Sequence, residues 1–91
     1  MKDLQQLTAF ADSGPPDRTD DRAFRADMSF VDSETEMIAF IKRFGVARST
    51  VVDWRSGRFA PHPSSRGRYC AWLRERARQR IQAHAATSVQ P

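Results

Sequence analysis

Apolar residues recur along this chain at spacings of three and four, and no run alternates apolar with polar long enough to make a sheet strand. That pattern predicts an all-α fold. Leu4, Leu7 and Ala11 suggest a short first helix, but an isolated helix of that length is marginal in water. The polar, turn-rich stretch at 12–21 follows it, so residues 1–19 are expected to be mobile. Phe24 and Met28 mark a helix from about Asp20, with Thr19 or Asp20 as its cap. The best-marked helix has Ser33 and Glu36 as a capping box, then Met37, Ile38, Phe40, Ile41 and Phe44 on one face, and Gly45 as terminator. Three residues later a second periodic segment starts, with Val51 and Trp54 pointing inward. A two-proline loop leads to a last helix from Ser64 or Ser65 to near His84. Its Tyr69, Leu73, Ala77 and Ile81 form the inner stripe, and Arg74, Arg78 and Gln82 the outer face.

Charge changes the picture. Residues 1–36 carry four basic side chains against nine acidic ones, a net of −5, whereas residues 37–91 carry eleven against two, a net of +9. Ten of those eleven are Arg, whose planar fork bonds phosphate oxygens and guanine edges at two points. The second half therefore suggests a polyanion as partner. One cysteine, Cys70, rules out an internal disulfide and a four-cysteine zinc site, and His62 and His84 do not complete a metal-ligand set. Neither a metal nor a cofactor is expected. The opening MKDLQQLTAF lacks the apolar run of a secretion signal, and no stretch is long and apolar enough to span a membrane, so a cytoplasmic location is expected.

The segment from Glu34 to Gly57 reads as two short helices joined through a glycine, an arrangement that can thrust the second helix into a DNA major groove. It resembles the Cro/phage-repressor, or xenobiotic-response-element, type of helix-turn-helix. The likeness lies in Gly45-Val-Ala-Arg-Ser-Thr-Val51, Trp54, Gly57 and Pro61, with a Trp-x-x-Gly-x-x-x-Pro ending, and covers about a third of the chain. The resemblance implies a small helix-turn-helix bundle of about four helices. Residues 1–19 would be a mobile acidic arm, 20–84 the DNA-binding domain and 85–91 a disordered tail. It makes Arg48, Ser49 and Asp53 candidate base readers, with Asp53 either accepting from a base amino group or orienting an arginine. Thr50 and Ser56, with the flanking Arg55 and Arg58, become candidate phosphate contacts. Two positions depart from the family. Glu34 and Glu36 stand where uncharged polar residues are usual beside a phosphate, and Ile41 stands where alanine is usual.

Arg66 and Arg68 add a further phosphate candidate, because arginine near a helix N-terminus is otherwise unfavourable. A single recognition helix reads only a few base pairs, so a homodimer on a palindromic site is expected, with Tyr69, Trp72, Leu73 and Ile81 as the candidate dimer surface. Trp54 reads as core, Cys70 as a passive thiol, and His62 with Cys70 lacks the third group and oxyanion site that a catalytic pair needs. The leading expectation is thus a non-enzymatic transcriptional regulator binding double-stranded DNA, bacterial or from a mobile element. One rival is an antiactivator or adaptor that binds another regulatory protein. The other is a small excisionase-like recombination factor. The acidic first third also suggests an arm that folds over the Arg-rich face and competes with phosphates.

Overall fold

A computed structural model describes residues 2–88, and among them the chain is all-α without a strand. Its helices are α1 (Leu4–Asp12), α2 (Asp21–Met28), α3 (Glu34–Phe44), α4 (Arg48–Ser56) and α5 (Pro63–Ser88). α1 packs on α5, α2 lies against both α4 and α5, and α3 packs on α4. Phe40 of α3 is fully buried where α3, α4 and α5 meet. Its ring lies 4.9 Å from Phe44, 5.6 Å from Trp72, 5.8 Å from Tyr69 and 6.4 Å from Trp54, centroid to centroid. Phe24, Met28, Val31 and Val51 close the core around it.

Sequence and structure part at the N-terminus. Among the described residues five helices form, not about four, and the expected mobile arm is instead α1 and a segment laid along α5. Its start carries a reciprocal capping box: the Asp3 side chain accepts from the Gln6 N–H, and the Gln6 side chain accepts from the Asp3 N–H. Leu7, Phe10 and Ala11 are buried, and Phe10 stacks on Phe30 with centroids 3.9 Å apart. Burial on α5 supplies what a nine-residue helix lacks alone. At the other end, α5 continues to Ser88, beyond the expected stop near His84. The rest of the expected tail, 89–91, lies outside the described residues.

Because α1 covers one side of α5, that helix is buried on two sides. Tyr69, Leu73 and Ala77 face the core as the stripe predicts, but Cys70 and Arg74, next to them, are buried as well. Arg74 was expected outside; it is only 8% exposed. Its guanidinium pairs with Asp27 at 2.9 Å and donates to Ser13 and to the Gly14 carbonyl. The same pattern repeats along α5. Arg66 meets Asp21 at 2.7 Å, Arg76 meets Glu36 at 2.8 Å, and Arg80 meets Asp32 at 3.0 Å. Four acidic side chains of the first half are thus paired with four arginines of α5. Asp32 shows the balance. Burial works against its charge, yet the Lys2 N–H and the Arg80 guanidinium outweigh burial and hold the carboxyl below its ordinary value.

The expected capping box of α3 forms only in half. Ser33 Oγ accepts from the Glu36 N–H, but the Glu36 carboxylate turns to Arg76 instead of back to Ser33. A charged partner across the core outcompetes a neutral backbone N–H. The turns on either side of α4 run through Gly45 (φ 65°) and Gly57 (φ 81°), both left-handed. A side chain at Gly45 would meet open space, whereas a Cβ at Gly57 would lie 3.0 Å from Arg25 Cδ. Gly57→Ala is therefore expected to cost about 1–2 kcal/mol of stability through the left-handed backbone, read as a lower denaturation midpoint, and to displace Arg25. An unchanged midpoint would remove this role for Gly57.

Candidate nucleic-acid interface

α4 is buried through Val51 and Trp54 and leaves Arg48, Ser49, Val52, Arg55 and Ser56 exposed. Those positions fall at i, i+1, i+4, i+7 and i+8, so they share one side of the helix. Val52 is 48% exposed, an apolar group in an otherwise polar stripe. With Arg55, Ser56 and Ser29 it borders an open depression of about 320 Å3.

Of the expected base readers, Ser49 is exposed and Asp53 half-buried. Arg48 is exposed but held from the start of α3, where its two terminal nitrogens bond the two oxygens of Glu34, Nη1 to Oε2 at 2.9 Å. The hydrogen bonds from Arg48 hold the Glu34 carboxyl below its usual value and raise the guanidinium's own. Arg48 is thus oriented by Glu34, not by Asp53. Among the expected phosphate contacts, Thr50 is half-buried. The Ser56 hydroxyl donates to the Asp53 carbonyl and accepts from the Arg58 N–H, completing the end of α4. Arg55 and Arg58 are exposed, and Arg58 lies over the Phe59 ring, 5.5 Å from its centroid.

Arg66 does not join this surface. It is 6% exposed, and besides Asp21 it donates to the carbonyls of Pro61 and Arg18. Its awkward place at a helix start is resolved internally, without a phosphate. Arg68 is exposed, but it lies over Tyr69 and borders a separate cleft that no α4 residue lines. The expected dimer surface also shrinks. Tyr69 and Leu73 are core residues, and only Trp72 and Ile81 of that set keep partial exposure.

Sequence reasoning missed Arg25, Lys42 and Arg43 as members of the cationic surface. Lys42 and Arg43 sit in the last turn of α3, beside the turn into α4. Arg25 reaches from α2 to the end of α4 at Gly57, where a cation suits the helix dipole. Nothing local in the sequence places Arg25 there. Among the described residues, Arg25, Lys42, Arg43, Arg55 and Arg58 have no carboxylate at ion-pair distance, in contrast to Arg66, Arg74, Arg76 and Arg80.

No groups of three or more metal-ligating side chains occur among the described residues, and no helix is long and apolar enough to cross a membrane. Cys70 is 3% exposed. Burial and the neighbouring Asp27 carboxylate push its thiol up to about 12, so it stays protonated and inert at neutral pH. No protein-family model, curated protein or solved structure matches the chain.

Proposed function

We propose that this chain is a sequence-specific DNA-binding regulator of the helix-turn-helix kind, with α4 as its recognition helix, acting as a homodimer. The observation that carries the reading is the distribution of unpaired charge. Folding neutralises most α5 arginines, while Arg25, Lys42, Arg43, Arg55 and Arg58, on and around α4, stay free of carboxylates and Arg48 alone among these cations is paired, with Glu34. In this arrangement Arg48 and Ser49 face base edges, while Arg25, Arg55 and Arg58 meet phosphates. Trp72 and Ile81 are the part of the expected dimer surface still accessible to a second copy.

Selection from a random duplex library tests it. The wild-type chain should enrich a motif, palindromic if the dimer forms. Arg48→Ala should relax one position of that motif by about 1–3 kcal/mol. Arg55→Ala with Arg58→Ala should weaken all sequences alike and lower the salt slope by about two. Glu34→Gln should tighten binding by removing a carboxylate beside the DNA backbone. Absence of duplex binding at low salt would end this reading.

One observation favours a second reading, a protein-binding adaptor. Glu34 occupies the two terminal nitrogens of Arg48, and Phe59 and Ile38 are 59% and 41% exposed. Apolar exposure of that kind suits a protein partner better than a phosphate backbone.

A further inference from the structure

Between the segment Ser13–Arg18 and the first turns of α5 lies a cleft of about 510 Å3 bordered by five arginines, 18, 66, 68, 74 and 78. Three are committed to carboxylates: Arg66 to Asp21, Arg74 to Asp27 and Arg78 to Glu75. Arg18 and Arg68 have no carboxylate at ion-pair distance among the described residues, and Arg68 has one neutral partner, the Tyr69 hydroxyl, to which it donates at 3.0 Å. Both border the same cleft, with Gly67 beside Arg18.

Gly67 lets the Arg18 guanidinium lie close against α5. Glycine inside a helix costs roughly 0.5–1 kcal/mol against alanine, yet Gly67 is the fifth residue of α5. A Cβ there would lie 3.3 Å from Arg18 Nη2, 3.4 Å from Cζ and 3.5 Å from Nε. The guanidinium therefore lies at contact distance from where a Cβ would stand. It is brought toward other arginines without an anion of its own. Among the described residues the one carboxylate lining the cleft, Asp17, directs Oδ1 into its own turn, accepting from the Thr19 N–H at 2.9 Å and its hydroxyl at 2.8 Å.

We infer that this cleft binds a phosphate-bearing small molecule, with the phosphate between Arg18 and Arg68. Two guanidiniums without counterions match the two charges of a phosphate monoester and its several acceptor oxygens. The Ser64 hydroxyl at the rim and the N-terminal end of α5 add favourable dipoles. Pro15, Pro16 and Ala71 give an apolar wall for the organic part, and the volume falls in the range that small-ligand sites occupy. This site stands apart from α4 and does not depend on the DNA reading.

The test uses the full isotope-labelled chain and three probes: inorganic phosphate, adenosine monophosphate and a random-sequence duplex. Amide shifts report the site. The nucleotide should saturably perturb the amides of residues 13, 14, 17, 18 and 64–71, with inorganic phosphate acting more weakly on the same amides. Arg18→Ala and Arg68→Ala, at exposed side chains, should each weaken nucleotide binding about tenfold, the loss of one charged hydrogen bond, and Arg18→Ala should do so without lowering the unfolding temperature. Three outcomes would overturn the inference: shifts scattered over the surface, equal affinity in the variants, or perturbation of these amides by duplex alone.

Discussion

Arg74→Ala is expected to destabilise the protein by about 3–5 kcal/mol, the usual cost of stranding one member of a buried ion pair. Both side chains of the Arg74–Asp27 pair are 9% exposed. Removing the guanidinium leaves the Asp27 carboxylate without its cation and takes donors from Ser13 Oγ and the Ser13 and Gly14 carbonyls. It also removes the cation that lies 4.7 Å from the Phe10 ring centroid. At about 4–8 °C per kcal/mol for a domain of this size, the melting temperature should fall by at least 12 °C. The double variant Asp27→Ala/Arg74→Ala should lose less than the sum of the two singles, because no charge is then stranded. Additive losses, or a single variant that melts like wild type, would show that the pair is not the link between the two halves.

Deleting residues 1–19 is the second large effect. The acidic first third read as an arm suggests that the deletion frees a basic face and tightens DNA binding. The structure predicts the opposite first event, loss of stability. Leu7 and Phe10 each contribute about 1.5–3 kcal/mol of burial. Arg74 would lose Ser13 and Gly14, Arg78 the Ala11 carbonyl and Arg66 the Arg18 carbonyl. The truncated chain should melt well below the full chain, and Cys70, inert in the intact fold, should react with a thiol reagent under native conditions. A truncated chain that melts normally, keeps Cys70 protected and binds duplex more tightly would restore the loose arm. The acidic residues that pair with α5, at 21, 27, 32 and 36, all lie beyond this deletion. Any competition between the acidic third and phosphates would therefore rest on contacts that the deletion leaves in place.

Much of the fold was legible locally. Gly45 and Gly57 mark the two turns because only a left-handed backbone ends those helices so sharply. The apolar face of α3 and the inward pair Val51 and Trp54 follow from helical spacing. Asp20 caps α2 through the Arg22 and Ala23 N–H groups, as its position suggests. The start of α1 was legible too, since Asp3 and Gln6 have capping-box spacing, but a nine-residue helix is decided by what it packs on.

Side-chain charge was the least legible feature. Along α5, Arg74 and Arg78 sit one turn apart and look alike in the sequence, yet one is buried against Asp27 and the other exposed beside Glu75. Arg66 looked like a phosphate contact and is an internal tie to Asp21. Arg25, by contrast, drew no attention and lies against the end of α4.

Periodicity, caps and turn residues act over three or four neighbours, so the chain by itself determined the all-α class, the helices at 21–56 and the side of α4 left outward. Ion pairing acts between residues that the fold brings together from 40 to 48 positions apart, as in Glu36–Arg76 and Asp32–Arg80. Only the tertiary structure decided which arginines are spent on holding α5 and which remain to meet a partner. Every guanidinium carries the same charge, and burial beside a carboxylate, not its place in the sequence, determines whether that charge is free.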